Sequence, residues 1–169
     1  MPAHIYEPGM SYLLTMVTHD RARLFAGRRY AEIAHQDIAF YASKFAAVSL
    51  GHVVMPDHVH WVLLPSEDDY ERFAREQQEQ GGKYAADPQR YYLSKIVEDY
   101  QRHTAFTVNQ MRGTWGMPVW QSGFRDDGLR TPAAVREAVR YVVENPVAAG
   151  LAQVADDYPW LAWNAEWLV

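Results

Sequence analysis

The sequence predicts an α+β domain organised around one antiparallel β-sheet. Three observations point to this class. Two apolar runs, at 47–55 and 58–64, are separated only by Pro56-Asp57, which is the spacing of a β-hairpin. Apolar residues recur at helical spacing along 30–46 and 91–111. The chain has 169 residues, of which 49% are hydrophobic, and this is enough for a sizeable core.

The first half of the chain is predicted to form a strand, a helix and the hairpin. Residues 12–18 (YLLTMVT) are apolar and β-branched, as is typical of a strand, and a polar, arginine-containing loop follows over 19–27. The apolar face of 30–46 then predicts a helix. The second hairpin strand, 58–64 (HVHWVLL), is apolar on both faces, which favours a central place in the sheet.

The middle of the chain is predicted to be a variable insertion followed by a long helix. Residues 66–90 are polar and contain Gln-rich and Gly-Gly segments, so we expect a loop or a short mobile helix. The continuous apolar stripe of 91–111 predicts a helix that ends at Gly113.

The last third is predicted to contain a strand and a final helix. Residues 119–130 (VWQSGFRDDGLR) resemble a strand with a bulge or turn at Asp127-Gly128. Thr131-Pro132 suits the N-cap and first position of a helix that we expect to end near Glu144, before Pro146.

The predicted order is β-α-β-β-α-β-α, which is that of a ferredoxin-like or RRM-like fold with an added C-terminal helix. We expect helices on one face of the sheet and a single domain over 1–169, with 66–90 as the insertion and 151–169 as an aromatic tail. Trp160 and Trp163 favour a tail that packs on the core, while a base-stacking arm and a cover over the active site stay open alternatives.

Composition restricts the class of protein. There are no cysteines, which excludes disulfides, thiolate zinc sites and cysteine nucleophiles and fits a reducing cytoplasm. The N-terminus has no signal-peptide pattern, and no apolar run approaches the ~20 residues of a membrane helix, so we expect a soluble, cytoplasmic protein. The formal net charge of −5 counts against a protein that coats duplex DNA but is compatible with a local basic groove.

His58 and His60 are candidate metal ligands. Alternate side chains of a strand share a face and lie roughly 7 Å apart, so two imidazoles can converge on one ion. Imidazole suits Zn, Mn, Ni and Co better than Mg. On spacing alone, two ordinary core or surface histidines are the commoner interpretation.

Tyr141 and Asn145 are neighbours on the last helix because they are four residues apart. They lie at the flank of its apolar stripe, although an ordinary amphipathic tyrosine and a helix-ending Asn before Pro146 fit the spacing equally well. Tyrosine is a competent covalent nucleophile, and its attack on a DNA phosphodiester would give a 5′-phosphotyrosine and a free 3′-hydroxyl. A metal ion could polarise the scissile phosphate, and Asn145 could supply a third ligand.

Several segments, taken together, resemble a known family. MPDHVHWVLLP is similar to the histidine strand of the HUH endonuclease superfamily, and ENPVAAGLA resembles the Asn-Pro-Val-x-x-Gly-Leu segment of REP-associated tyrosine transposases, which have a single catalytic tyrosine. VWQSGFRDDGLR is similar to that family's Trp-Gln…Phe…Arg stretch. The combination, in this order, is far more specific than His-x-His alone, and the resemblance runs from about Tyr12 to Trp160.

The resemblance implies a metal-dependent transposase that cleaves and rejoins single-stranded DNA at repeated palindromic (REP) hairpins. By position, it makes His58 and His60 the metal-binding pair, Tyr141 the nucleophile and Asn145 the third ligand. It also implies a ferredoxin-like core, a divalent ion (Mg or Mn), and action as a monomer or a homodimer.

Six further residues are candidates for DNA contact, because aromatic rings stack on unpaired bases and arginines bind phosphate. They are Arg21, Arg23, Trp120, Gln121, Arg125 and Arg130. For Trp120, core packing is the preferred interpretation.

Two other functions remain open from the sequence. A non-catalytic RRM-like module would bind single-stranded nucleic acid through sheet aromatics, although no RNP1-type signature is present. A related HUH enzyme that starts plasmid replication or transfer would share the chemistry and differ in its substrate.

Overall fold

In a computed structural model that describes residues 4–169, the chain forms a five-stranded sheet in the order β4-β1-β3-β2-β5. The strands are β1 (Ser11–Val17), β2 (Val48–Met55), β3 (His58–Leu64), β4 (Arg125–Leu129) and β5 (Leu161–Trp163). Every neighbouring pair is antiparallel. The predicted α+β class with an antiparallel sheet is therefore confirmed. Residues 1–3 lie outside the described residues. They belong to the N-terminal segment in which we expect no signal peptide.

The central strand is β3, as its two apolar faces predicted. It pairs with β1 on one side and with β2 on the other, and the β2–β3 hairpin turns at Pro56-Asp57. Its side chains alternate between the two faces of the sheet. Val59, Trp61 and Leu63 point to one apolar core, while Val62 points to a second.

Helices cover both faces of the sheet. They are α1 (Arg28–Lys44), α2 (Glu67–Gln80), α3 (Pro88–Arg112) and α4 (Pro132–Ala148). The core beneath α1 and α3 contains Ile38, Ile96 and Tyr100 together with Trp61. On the opposite face, α4 buries its valine stripe against β2 and β3. Two helices thus share one face, as predicted, and the added C-terminal helix covers the other.

Of the two structures expected at 66–90, a loop or a short helix, the helix is present, because 67–80 form α2. The Ser66 side chain accepts a hydrogen bond from the backbone N–H of Asp69, which caps the helix, and Gly81 ends it in the left-handed conformation at φ 63°. Phe73 is buried against Tyr92. The sequence left the choice between a loop and a helix open because the segment buries too few apolar side chains to form a continuous apolar stripe.

The final helix also differs from its predicted end. It continues through Pro146 to Ala148, although proline has no N–H to donate to the carbonyl four residues earlier. Pro146 is buried, and its carbonyl accepts from the N–H of Leu151 at 2.8 Å, so tertiary packing and a new terminal hydrogen bond retain the helical turn. The predicted start was correct, since Thr131 accepts from the N–H of Ala134.

The strand predicted over 119–130 is shorter than expected, and the tail supplies a strand that the sequence did not indicate. Only Arg125–Leu129 is a strand, and Trp120 makes an isolated bridge to Thr18. In the tail, β5 pairs with β2 at the far edge of the sheet, and the Tyr158 hydroxyl donates to the carbonyl of Val54 at 2.8 Å. No helix within residues 4–169 is long and apolar enough to span a bilayer.

Candidate active site

His58 and His60 lie side by side on the face of β3 that α4 partly covers. Their ring centroids are 4.7 Å apart, and the rings meet edge to face. His60 is buried and His58 is half-buried. Because the strand alternates, the intervening Val59 points into the opposite core, so the two imidazoles are the adjacent groups on this face.

Each imidazole is oriented through its Nδ1 atom. Asp57 Oδ1 lies 2.6 Å from Nδ1 of His58, and Thr15 Oγ1 lies 2.9 Å from Nδ1 of His60. If each Nδ1–H donates to its oxygen partner, each Nε2 retains its lone pair for a ligand. Partners of this kind fix the tautomer and the ring orientation of histidines that bind metal ions.

Sequence reasoning missed both orienting residues. Asp57 was interpreted only as a turn residue, although its position immediately before His58 could have signalled the contact. Thr15 has no local signal, because it reaches His60 only through the pairing of β1 with β3.

Burial keeps His60 neutral. It lowers the pKa of His60 to about 4, with smaller contributions from the neighbouring His58 and from Arg125. Burial alone would raise the pKa of Asp57, but the hydrogen bond with His58 and the nearby Arg21 charge outweigh it, so the pKa of Asp57 is lowered. At neutral pH the site therefore contains an unprotonated His60 imidazole and an ionised Asp57 carboxylate, which is hydrogen-bonded to His58.

Tyr141 reaches this histidine pair from α4. Its hydroxyl oxygen lies 3.3 Å from Nε2 of His60, and the two ring centroids are 5.1 Å apart. The helix is held in place by Val135, Val139 and Val142, which are buried against β2 and β3. Tyr141 itself is 49% exposed, so about half of the residue faces solvent.

Asn145 is half-buried one helical turn beyond Tyr141. No hydrogen bond connects its side chain to either histidine within residues 4–169, and its backbone carbonyl accepts from the N–H of Ala149 at 3.0 Å. Contacts thus join His58, His60 and Tyr141, whereas Asn145 only shares the helix α4 with Tyr141.

The donor atoms present fit a borderline divalent ion. The two imidazole rings are adjacent, and an amide side chain is present on the nearby helix, a mixed set of donors that imidazole-preferring ions accept. Across 4–169 no cluster of three or more His, Cys, Asp or Glu side chains is placed to hold a metal ion. The histidine pair therefore needs other oxygen donors to complete a coordination shell, and phosphate, water or the Asn145 amide could provide them.

Three of the six candidate DNA-contacting residues border one groove beside the histidines. Arg21, Gln121 and Arg125 line this groove of about 320 Å³ together with Thr15, the partner of His60. Phe124 also lines it. We name this the site groove. The hydrogen bond with Asp127 raises the pKa of Arg125, and the proximity of Tyr141 raises it further.

The other three candidates lie elsewhere. Trp120 packs against Phe25 at 5.2 Å between ring centroids, which agrees with the preferred interpretation of core packing. Arg130 makes two hydrogen bonds to the carboxylate of Glu7, at 2.7 and 2.8 Å. Arg23 is exposed in the loop after β1.

Comparisons with known proteins support the fold. Neither a family model nor a curated protein sequence matches the chain. Among solved structures, a REP-associated tyrosine transposase bound to a REP hairpin is similar, with a TM-score of 0.60 and 19% sequence identity over 92% of this chain and 78% of that one. A predicted transposase from Deinococcus radiodurans R1 matches with a TM-score of 0.49 and 16% identity over 83% of this chain and 92% of that one. The fold is thus that of the transposase that the sequence motifs resemble.

Proposed function

We propose that the protein is a single-tyrosine HUH transposase, which cleaves and rejoins single-stranded DNA at palindromic hairpins. The observation that carries this proposal is the contact between Tyr141 and His60, with His58 beside them. A nucleophilic side chain and two potential metal ligands meet at one point, from a helix and a strand that are distant in the sequence. The shared fold of the hairpin-bound transposase supports the same function.

In the proposed reaction, Tyr141 attacks the phosphorus of a DNA phosphodiester. The phenol loses its proton, its oxygen forms a new bond to phosphorus, and the bond to the 3′ oxygen breaks. The leaving oxygen takes up a proton and becomes a free 3′-hydroxyl, while the 5′ side stays attached to Tyr141. One phosphoester bond replaces another without water, so a second 3′-hydroxyl can reverse the step and rejoin a strand.

His58 and His60 would hold a divalent ion through their Nε2 atoms, with Asn145 as the proposed third protein ligand. When bound, such an ion polarises the scissile phosphate and stabilises charge on the leaving oxygen. Asp57 and Thr15 would keep the two rings in the orientation that presents Nε2. Arg125, on the same face of the sheet, would contribute positive charge beside the phosphate.

One copy of the chain is proposed to be sufficient for cleavage. Tyr141 and His60 of the same chain are already in contact, so no exchange of α4 between subunits is needed to assemble the site. A dimer would be required only if strand transfer needs two sites at once.

The RRM-like alternative is less well supported. An RRM binds RNA on the face of the sheet that its helices leave open. Here α4 packs on that face and buries Val53 and Val62. Little of the sheet therefore remains as an open platform for bases.

The direct test is incubation of the purified protein with Mn²⁺ and a labelled single-stranded hairpin with flanking sequence. We expect a covalent adduct on the 5′ side of the cut, seen as a labelled band in denaturing gels and located at Tyr141 by mass spectrometry. A hairpin that is bound but never cut, across a panel of hairpins and divalent ions, would contradict the enzymatic proposal and favour a binding module.

A further inference from the structure

Three grooves on this protein follow one another from the histidine pair round to the opposite side of the sheet. The first is the site groove. The second, the side groove, lies beside α3 and is lined by Lys83, Met117 and Trp120 among others. The third, the back groove, lies between α1 and α3 and is lined by Tyr41, Lys44 and Phe106 among others.

The grooves are neighbours. One pair has lining residues in common, and the other pair is lined by residues that are adjacent in the chain. Trp120 lines the side groove and Gln121 lines the site groove. This segment is fixed to the end of β1, since the N–H of Gln121 donates to the carbonyl of Val17 at 2.8 Å. Lys95 and Arg102 line both the side groove and the back groove. A path therefore leads from the active-site face to the helices on the other face.

Charge is segregated along this path. Its cationic lining side chains are Arg21, Lys44, Lys83, Lys95, Arg102 and Arg125. Among residues 4–169 only two carboxylates line it, Glu98 and Asp99. Arg21 and Arg125 are paired with Asp57 and Asp127, which lie outside the lining. Even with these two carboxylates counted, the path has an excess of positive charge in a chain whose formal net charge is −5. Such local segregation marks a surface for a polyanion in an otherwise acidic protein.

Asp99 sits beneath the cations of the back groove and is overcompensated. This buried carboxylate contacts Lys44 at 2.8 Å, Lys95 at 2.6 Å and Arg102. Lys44 and Lys95 lower the pKa of Asp99 against the effect of burial. Three positive groups around one negative group leave positive charge at the rim, where the Arg102 side chain is 71% exposed.

Aromatic rings continue the path at its far end. Phe106 is 56% exposed and Trp115 is 64% exposed, with their ring centroids 5.9 Å apart. Phe106 lines the back groove, as does Tyr41. Exposed rings beside cations are the combination that holds single strands, because bases stack on the rings while the cations bind phosphate.

We propose that these grooves form one track for single-stranded nucleic acid that extends from the His58–His60 site to the back of α1 and α3. Phe106 and Trp115 are base-stacking groups at its end, and Lys83 and Arg102 bind phosphate along it. The direction in which the strand would run, toward the His58–His60 site, rests on the proposed function. Binding along the track requires only a single-stranded nucleic acid. If the surface instead served an acidic protein partner, the cations would still be needed, but the affinity for DNA would not rise with strand length.

The test measures the affinity of fluorescent oligothymidylates of increasing length for the intact protein. For the wild type we expect affinity to rise with the length of the oligonucleotide. In F106S/W115S this rise should be lost. Loss of a single base stack, worth about 1 kcal/mol, already lowers the affinity for long strands about 5-fold. The variant K83Q/R102Q should reduce the slope of log affinity against log salt by about 1.4, at ~0.7 for each lost phosphate contact. The matched controls are V48S/V154S and R75Q/R136Q, which change exposed residues outside the track.

The outcomes separate the track from the proposed function. If both track variants bind long strands as tightly as their controls, the track is overturned, whatever the active site does. If strand length matters and the variants lose it, but the wild type never forms an adduct at Tyr141, the track stands and the transposase proposal fails. Thermal unfolding of every variant checks that the fold is intact, so that a loss of affinity reports the surface.

Discussion

The hydroxyl of Tyr141 lies 3.3 Å from Nε2 of His60, although 81 positions separate the two residues in the chain. Neither residue is held there by local structure. His60 is fixed by its place on the central strand and by Thr15, while Tyr141 is fixed by the valine stripe that docks α4 on the sheet. The arrangement depends on the whole fold, and the following predictions test its parts.

Replacement of Tyr141 by Phe should abolish the covalent DNA adduct and leave hairpin binding within about 3-fold of wild type. The substitution removes only the hydroxyl, and the half-exposed ring can keep its packing. Adduct formation in denaturing gels and affinity by fluorescence anisotropy measure the two effects. Tyr91→Phe, on α3, is the matched control and should react normally; an adduct that persists in Tyr141→Phe would assign the nucleophile to another residue.

Replacement of Asp57 by Ala should weaken Mn²⁺ binding by about 10–100-fold, the usual cost of losing the partner that orients a metal-bound histidine. Asp57→Asn should weaken it less, because the amide oxygen can still accept from Nδ1 of His58. Calorimetric titration of Mn²⁺ gives the affinities. Asp156→Ala, in an exposed segment outside the site, controls for the loss of one negative charge; equal effects of the Ala and Asn changes at Asp57 would argue that charge and not orientation is what matters.

Acid should destabilise the protein through a second histidine pair, which lies on the other face of the sheet and contains the buried His52. His52 Nε2 lies 3.0 Å from Nδ1 of His35, and burial lowers the pKa of His52 to about 3 and also lowers that of His35. Because the unfolded chain takes up the proton near pH 6.5, this stability is fully present above that pH and is lost as the pH falls toward the folded pKa. At pH 5 the loss from His52 alone is about 2 kcal/mol relative to pH 7.5.

The measurement is urea unfolding at pH 7.5 and at pH 5. In His52→Leu the difference in free energy of unfolding between the two pH values should shrink by about 2 kcal/mol, whatever the substitution does to packing. His19→Gln, in an exposed loop, should leave the difference unchanged. An undiminished difference in His52→Leu would place the acid sensitivity in other groups.

The tail strand should contribute to stability as part of the second core. Leu161 is 9% exposed and packs in the cluster that holds α4 on the sheet, so Leu161→Ala should lower the free energy of unfolding by about 2 kcal/mol. Val154→Ala, at a 54% exposed position, should change it by less than about 0.5 kcal/mol. Similar losses for both variants would mean that β5 adds little.

Patterns that repeat within one element were sufficient to predict much of this architecture. The periodicities of α1 and α3, the hairpin at Pro56-Asp57 and the cap at Thr131 each depend on residues close in sequence, and each is present in the structure. The short β5 was not predicted, and the polar segment of α2 was left undecided between a loop and a helix, because tertiary contacts, and not local patterns, hold these elements in place.

The sequence by itself determined which side chains could do chemistry: a His-x-His strand, and a tyrosine with an asparagine one helical turn later. Only the tertiary structure decided which of them meet. The register of β1 against β3 places Thr15 beside His60. The packing of α4 on the sheet brings Tyr141 to the histidine pair. In the described chain, the Asn145 side chain has no hydrogen bond to either histidine. The physical reason is that spacing along one element fixes which face a side chain occupies, whereas the distance between elements is set by how their buried faces pack.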